Sequence, residues 1–328
     1  MSDQPSHTLT RREFVKVGAA GAAAMAIATT LPADASTGMP TRAFGRTGHH
    51  VKLFSLGGQA TLEKPGTHDD SIAIINRAID LGVNYIDTAA RYGNGISQTN
   101  IGDVMKTRRK EVFLASKTHD RTRDGSLKLL EESLRLLQTD HLDLWQLHNV
   151  QNDAQLDTIF GKDGAIEAMQ KAREQKMVRF LGITGHFDPD VLLRGIQRFD
   201  FDTILMALNP ADKHHLAFTE RLLPAANEKK MGIVAMKIPA RGRLFRPDGI
   251  NRMNDAMSYV LTLPVSTVIV GCDTVQQLEQ NVEIATNFNP LPATEMARLE
   301  KLTAGYVAEA SWFKKPAPEW GRPGEDDQ

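Results

Sequence analysis

Asn84-Tyr-Ile-Asp-Thr-Ala89 is an apolar, strand-like run that carries a carboxylate, Asp87, and Ala90-Arg-Tyr-Gly93 follows it with a phenol, Tyr92. Two later runs have the same form. Val112-Phe-Leu-Ala-Ser-Lys-Thr118 bears an ammonium group at Lys117, and Leu142-Asp-Leu-Trp-Gln-Leu-His148 ends in an imidazole. Consecutive parallel strands of a barrel place their carboxyl ends side by side. The three runs therefore predict one rim at which these four side chains meet.

The flanking sequence continues the same alternation of strand-like and helix-like segments. Eight such units with right-handed crossovers predict an α/β fold, a closed (β/α)8 TIM barrel. An open doubly wound sheet is disfavoured, because Gly57-Gly58 after the first strand is not a Gly-x-Gly-x-x-Gly turn. A β-hairpin about Gly45 to Gly48 is expected before the barrel. The predicted strands are Phe54–Gly58, Asn84–Ala89, Val112–Thr118, Leu142–Asn149, Val178–Thr184, Thr203–Asn209, Gly232–Ile238 and Thr267–Gly271. The predicted helices are Asp69–Leu81, Ser97–Thr107, Gly125–Gln138, Gly164–Lys176, Pro189–Phe199, Ala217–Lys230, Asn254–Leu263 and Thr274–Phe288.

Composition excludes several classes of protein. The chain has 328 residues, of which 41% are hydrophobic, so it can bury a sizeable core. Its formal net charge of -1 gives no electrostatic argument for a nucleic acid or an anionic membrane as a partner. A single cysteine, Cys272, excludes an internal disulfide and a cysteine cluster for metal. The adjacent pairs His49-His50 and His214-His215 are poorly spaced for metal ligands.

The first 35 residues differ from the rest. Thr10-Arg-Arg-Glu-Phe-Val-Lys16 precedes an Ala/Gly-rich stretch to Leu31 that is too short and too weakly apolar to span a membrane, and Ala33-Asp-Ala35 offers small residues for cleavage. This segment resembles a twin-arginine signal peptide; a disordered basic tail is the alternative. The resemblance implies recognition by the twin-arginine export machinery, a periplasmic location and no stable membrane anchor after cleavage. Residues 36–328 would then be a single barrel domain.

Beyond about Pro290 the chain carries two aromatic residues among prolines, Trp312 and Trp320. We expect this C-terminal tail to lie at the barrel mouth, where it would shape the substrate site. The alternative is a tail draped over the surface.

The four rim residues provide the groups that carbonyl reduction requires. A phenol whose pKa is lowered by a buried cation can give a proton to a developing alkoxide near neutral pH. At this point the chain resembles the aldo-keto reductase family, whose tetrad is Asp, Tyr, Lys and His in this order. The resemblance runs from about Met39 to about Phe288. It implies a small-molecule aldehyde or ketone as substrate and a catalytic set of Asp87, Tyr92, Lys117 and His148. In it, Tyr92 is the general acid and Lys117 lowers its pKa.

The resemblance also implies an NAD(P)H cofactor extended over the barrel mouth. Gly182-Ile-Thr-Gly-His186 stands where many members have Gly-Val-Ser-Asn, so Thr184 retains a hydroxyl for the nicotinamide carboxamide while Gly185 has no side chain. Asn209 is the polar candidate after the sixth strand, with turn initiation before Pro210 as its other interpretation. Cationic side chains after the seventh strand suit a diphosphate: Lys237, Arg241 and Arg243. The matching segment before the last helix contributes the remaining cofactor candidates: Gly271, Asp273, Thr274, Gln277, Gln280 and Asn281.

Asp273 is a departure from the family pattern that bears on cofactor choice. Many members carry Lys or Arg there to bind the 2′-phosphate of NADP. A carboxylate repels that phosphate and could bond a free ribose hydroxyl instead. The family implies NADP, and Asp273 leaves NAD possible.

Two other functions stay open on sequence alone. Some family members are nucleotide-binding regulatory or sensor subunits, and the altered nicotinamide contacts are compatible with that role. An enzyme that holds NAD(P) tightly for internal redox chemistry is the second, since export would separate the protein from cytoplasmic NADPH.

Overall fold

A computed structural model describes residues 38–316 of the chain. The segment interpreted as an export signal, residues 1–35, lies outside the described residues, as does Trp320. Within residues 38–316, no helix is long and apolar enough to cross a membrane.

Eight parallel strands close into a barrel, which confirms the predicted fold class. Around the barrel the strands follow chain order, and the last one pairs with the first. Nearly every strand residue is buried, as expected for a parallel sheet that is covered on both faces. The barrel strands are β3 (Phe54–Gly57), β4 (Tyr85–Asp87), β5 (Phe113–Thr118), β6 (Leu142–Leu147), β7 (Val178–Gly185), β8 (Thr203–Ala207), β9 (Gly232–Met236) and β10 (Thr267–Val270).

Helices surround the barrel with their apolar faces against the strands. Each predicted helix is present, with ends shifted by a few residues. The connection after β6 contains an additional helix, and two more follow the last predicted one. The helices are α1 (His68–Asp80), α2 (Ile96–Arg108), α3 (Arg123–Leu137), α4 (Asp153–Phe160), α5 (Ala165–Glu174), α6 (Pro189–Arg198), α7 (Leu222–Glu228), α8 (Met253–Thr262), α9 (Val275–Thr286), α10 (Ala293–Thr303) and α11 (Val307–Ala310).

The predicted hairpin covers the amino end of the barrel. It consists of β1 (Thr41–Ala43) and β2 (His50–Lys52), which pair antiparallel. Between them, Phe44 packs edge-on against Tyr85 and Phe113, with ring centroids 5.5 and 5.4 Å apart. Gly45 has φ 55°, and a Cβ there would lie 2.2 Å from the backbone nitrogen of Gly232. Only glycine allows the hairpin to approach the barrel so closely.

The C-terminal segment, residues 307–316, packs at the opposite end of the barrel, as predicted for the tail. The indole nitrogen of Trp312 donates to the carbonyl of Ala240, 3.1 Å away. The amide of Asn209, just past β8, donates to the carbonyl of Ala310 at 3.0 Å. The ammonium group of Lys314 pairs with Asp212 at 2.5 Å. These contacts attach the segment to the loops that follow β8 and β9.

Candidate active site

The strand register brings Asp87 and Lys117 together. Asp87 pairs with Ala115 across β4 and β5, so Lys117 lies two residues nearer the rim on the same face of β5. The Lys117 ammonium is hydrogen-bonded to the Asp87 carboxylate and to the Thr88 carbonyl, and it lies 3.4 Å from the Tyr92 hydroxyl. The side chains of Lys117 and Asp87 are 1% and 0% exposed. Asp87 and Lys117, which come from separate runs of sequence, thus meet inside the barrel, and the half-buried Tyr92 lies against them.

Gln146 completes the surroundings of the carboxylate. Its side-chain nitrogen donates to Asp87 Oδ1 at 2.8 Å, and the Tyr85 hydroxyl lies 3.4 Å from the same oxygen. The register places Gln146 directly opposite Lys117 across β5 and β6. Among the described residues, the other side-chain atom of Gln146, Oε1, is buried without a hydrogen-bond partner. The Asp87 carboxylate is therefore oriented from two sides, with Lys117 on Oδ2 and Gln146 on Oδ1.

The pKa of Tyr92 differs from the expectation that Lys117 lowers it below its usual value. Burial of the phenol raises the pKa of Tyr92, and this effect exceeds the opposing influence of the Lys117 charge. The negative charges of Asp87 and Glu63 add to the increase. Tyr92 is consequently a protonated phenol at neutral pH. It is able to donate a proton, and Lys117 limits how far its pKa is raised.

Lys117 itself is held in its charged form. Burial alone would lower the pKa of Lys117, but the attraction of Asp87 together with Tyr92 raises it above the ordinary value. A fixed positive charge therefore lies 4.8 Å from the centre of the Tyr92 ring. This charge is available to stabilise a phenolate.

His148 packs its ring edge-on against Tyr92, with centroids 5.6 Å apart and planes at 83°. Burial, followed by the charge of Lys117, holds the pKa of His148 well below its usual value. The imidazole is therefore neutral at physiological pH and carries one N–H. Packed against the Tyr92 ring, such a group can donate a hydrogen bond without competing for the proton.

A cavity of about 850 Å³ extends from Tyr92 across the barrel mouth. Its size lies in the range typical of small-molecule sites. Several candidates from the sequence border it: Asp87, Tyr92, Lys237, Arg241, Gly271, Asp273, Gln277, Gln280 and Asn281. The described residues that line the cavity do not include the remaining candidates, which are Lys117, His148, Thr184, Asn209, Arg243 and Thr274. Lys117 and His148 nevertheless contact Tyr92, which lines the cavity.

The cation loop, residues 237–243, forms one side of the cavity. Lys237 and Arg241 border it together with Gly242. Lys237, Ala240 and Arg241 have φ values of 63°, 49° and 55°, in the left-handed region that non-glycine residues seldom adopt. Strained backbone of this kind concentrates at ligand-binding loops. The loop offers positive charge at a fixed place, as an anionic ligand requires.

Polar groups from the loop after β10 and from α9 also line the cavity. The Thr274 hydroxyl caps α9 by accepting from the backbone nitrogen of Gln277, and the Gln277 side chain accepts from the backbone nitrogen of Asp273 at 2.6 Å. The Asp273 carboxylate pairs with Lys64 at 2.9 Å, both side chains being about half exposed. Lys64, which sequence reasoning did not identify, thus supplies a cation beside the carboxylate at position 273.

Two candidates for the nicotinamide end are engaged with the protein itself. The Thr184 hydroxyl accepts from the backbone nitrogen of Asn149 at 2.8 Å. Asn209 is buried and bonded to Ala310 and Ala211. Their assignment as cofactor contacts stays a prediction.

His186, the last residue of the Gly182–His186 motif, also borders the cavity, and the sequence alone gives it no role. Its Nδ1 lies 2.8 Å from the Asn149 side-chain oxygen. Burial and the positive charge of Lys237 hold the pKa of His186 well below its usual value, so the ring is neutral. The signal that could have identified it is its place one residue past the end of β7, at the same rim as His148.

The chain is similar to a known family of proteins. The sequence profile described as "Aldo/keto reductase family" matches residues 53–255. L-galactose dehydrogenase of Arabidopsis thaliana is 26% identical over 296 aligned residues, which span 78% of this chain and 91% of that protein. The holo form of aldo-keto reductase AKR11C1 from Bacillus halodurans is 26% identical and superimposes with a TM-score of 0.69, covering 80% of this chain and 96% of its own. An aldo-keto reductase of Klebsiella pneumoniae in complex with NADPH shares the fold, with a TM-score of 0.67 and 21% identity over 85% of this chain and 97% of its own.

Proposed function

The chain belongs to the aldo/keto reductase family of oxidoreductases, and on that premise we propose that it reduces an aldehyde or ketone to an alcohol with NADPH, with Tyr92 as the general acid. The observation that carries this proposal is the contact of the Tyr92 hydroxyl with Lys117, whose ammonium is paired with Asp87 inside the barrel rim. A phenol at the edge of a cavity, next to a lysine whose charged form is favoured by Asp87, is suited to proton donation.

The cavity residues fit a nicotinamide dinucleotide phosphate. The cations of Lys237 and Arg241 suit its diphosphate, and the polar side chains of Gln277, Gln280 and Asn281 suit its adenosine end. Tyr92 borders the same cavity, so one extended ligand can reach both groups. When bound, NADPH supplies the hydride that adds to the carbonyl carbon. The Klebsiella relative with NADPH bound supports this choice of cofactor.

Residues of the chain carry out the proton transfer. Tyr92 donates its hydroxyl proton to the carbonyl oxygen as the C–O double bond becomes a single bond, which leaves an alcohol and a Tyr92 phenolate. Lys117 stabilises that phenolate by its charge, and Asp87 keeps Lys117 in place. Neutral His148 donates its N–H to the carbonyl oxygen and orients it next to Tyr92. A proton from solvent then restores the phenol.

The test is Tyr92→Phe, which removes the acidic hydroxyl and keeps the ring. We expect turnover of a simple aromatic aldehyde to fall by about 10²–10⁴-fold, the usual scale of general acid catalysis. Binding of NADPH, followed by its fluorescence, should stay nearly unchanged because the cation loop and α9 are untouched. Near-normal reduction by the variant would exclude Tyr92 as the acid. Absence of NADPH binding by the unmodified protein would exclude the whole proposal.

We also propose that residues 1–35 direct export of the folded protein to the periplasm, leaving residues 36–328 as the mature barrel domain. The support is the sequence Thr10-Arg-Arg-Glu-Phe-Val-Lys16 followed by an Ala/Gly-rich stretch. Changing both Arg11→Lys and Arg12→Lys retains the charge and removes the paired arginines. Precursor should then accumulate in the cytoplasm with NADPH binding intact. Continued appearance in the periplasm would contradict the signal assignment.

A further inference from the structure

Trp312 of the C-terminal segment lies among the charged side chains of the cation loop. The Arg243 guanidinium carbon is 4.8 Å from the centre of its ring. The Lys237 ammonium and the Arg241 guanidinium carbon are each 5.7 Å from it. All three distances are within the range of cation–π attraction. A single aromatic ring therefore contacts every cation that the sequence assigns to this loop.

The ring is fixed from the side of the C-terminal segment. Its indole nitrogen donates to the carbonyl of Ala240, within the cation loop itself. The neighbouring Phe313 packs edge-on against it, with centroids 6.0 Å apart. Lys314, two residues after Trp312, is buried in its pair with Asp212. Trp312 is thus bound to the loop and also anchored to a different part of the barrel rim.

The conformation of the cation loop is unfavourable without a stabilising contact. Three positive charges in one short loop repel one another, and three of its residues adopt left-handed backbone conformations that cost free energy. An aromatic face attracts cations without neutralising them. Lys237 and Arg241 border the cavity and also contact this aromatic face.

We propose that Trp312 is a positioning residue for nucleotide binding, which holds the cation loop in the conformation that receives the diphosphate. The inference rests on the proposed function, since a dinucleotide is the ligand that the loop is expected to bind. It makes the C-terminal segment part of the nucleotide site. A substrate-shaping role alone would leave nucleotide affinity independent of this segment.

The test compares two probes in two Trp312 variants and one control variant of the full-length protein. NADP⁺ contains the diphosphate, and adenosine 2′-monophosphate lacks it. Trp312→Leu should weaken binding of NADP⁺ by about tenfold or more, because the loop cations lose the aromatic face. It should leave the affinity for adenosine 2′-monophosphate unchanged. Trp312→Phe, which retains an aromatic face, should restore most of the NADP⁺ affinity. Phe288→Leu is the matched control, since Phe288 contacts Arg42 in the same manner at 5.6 Å; we expect it to leave both affinities unchanged.

Several results would overturn the inference. These are NADP⁺ binding within twofold of normal in Trp312→Leu, equal weakening of both probes, or a Phe variant as defective as the Leu variant. If Trp312→Leu does not fold, Arg243→Gln gives the same test from the other partner, and an unchanged NADP⁺ affinity there is equally contradictory. Failure of the unmodified protein to bind NADP⁺ would instead contradict the proposed function.

Discussion

Two lysine–aspartate pairs are buried at the same end of the barrel, yet their surroundings differ. Lys117 pairs with Asp87 and Lys314 pairs with Asp212, and no side chain of the four is more than 1% exposed. The Lys117 ammonium also reaches the hydroxyl of Tyr92. The Lys314 ammonium instead reaches the carbonyl oxygens of His215 and Leu216, at 2.8 and 3.0 Å.

The pKa values of the two lysines shift in opposite directions. Burial lowers the pKa of Lys314, and its attraction to Asp212 does not fully compensate. At Lys117 the combined attraction of Asp87 and Tyr92 exceeds the effect of burial, and the pKa rises. The groups around each buried ion pair therefore decide whether the pair has a chemical or a structural role. The Lys117–Asp87 pair lies next to a titratable phenol at a cavity, and this neighbour gives it a chemical role. The Lys314–Asp212 pair lies among backbone carbonyls and holds the C-terminal segment against the barrel.

The largest effect is expected from Lys117→Met. Loss of the charge should reduce turnover by about 10²–10⁴-fold, because Tyr92 becomes a weaker acid and its phenolate loses its stabilising cation. Reduction requires the protonated phenol, so the rate falls as pH rises through the pKa of Tyr92. Since Lys117 lowers that pKa, its removal should move the falling limb to higher pH.

The pH–rate profile of the residual activity checks the Lys117→Met prediction. The double variant with Asp87→Asn is the control for the buried, unpaired carboxylate: it should regain thermal stability without regaining activity. An unmoved alkaline limb would show that Lys117 and Tyr92 do not interact.

Lys314→Met makes the same substitution in the other pair and should affect stability. Removal of one partner from a buried ion pair typically costs about 3–5 kcal/mol. Asp212 retains backbone donors at Phe218 and Thr219, which favours the lower end of that range. Denaturant unfolding measures the change.

Lys213→Met is the matched control for Lys314→Met, since the neighbouring Lys213 is 54% exposed in its pair with Glu300. It should cost no more than about 1 kcal/mol. Equal costs for the two lysines, or a loss of turnover in folded Lys314→Met as large as in Lys117→Met, would remove the distinction between the two buried pairs.

The smallest effect concerns a third, exposed pair, Lys64 with Asp273, whose side chains are 55% and 56% exposed. Asp273→Arg should increase the preference for NADPH over NADH, because a carboxylate that repels the 2′-phosphate is replaced by a cation. Screening by solvent limits the expected change in the ratio of dissociation constants to about 2- to 5-fold.

Lys64→Ala is the complementary change, and it should shift the same ratio toward NADH by exposing the unpaired carboxylate. Both shifts should diminish at high salt. A ratio that moves in neither variant would mean that Asp273 lies away from the adenosine ribose.

The sequence was sufficient for the elements and for most of the rim. Apolar runs that end in Asp87, Lys117 and His148 predict parallel strands whose ends are adjacent, because a barrel sets neighbouring strand ends side by side. Additional helices such as Asp153–Phe160 were not predicted, since a short amphipathic stretch inside a connection resembles a loop. Lys64 was missed because its partner Asp273 is far away in the chain and only barrel closure brings them together.

What the sequence alone determined is local: periodicity, strand ends and the order of the chemical groups along the chain. These follow from the alternation of side chains along strands and from helical periodicity, which each segment carries by itself. Only the tertiary structure decided the direction of the Tyr92 pKa, the neutrality of His186 and the contact of Trp312 with the cation loop. Burial and electrostatic attraction depend on every atom within several ångströms, and those atoms come from strands and loops that are distant in the chain.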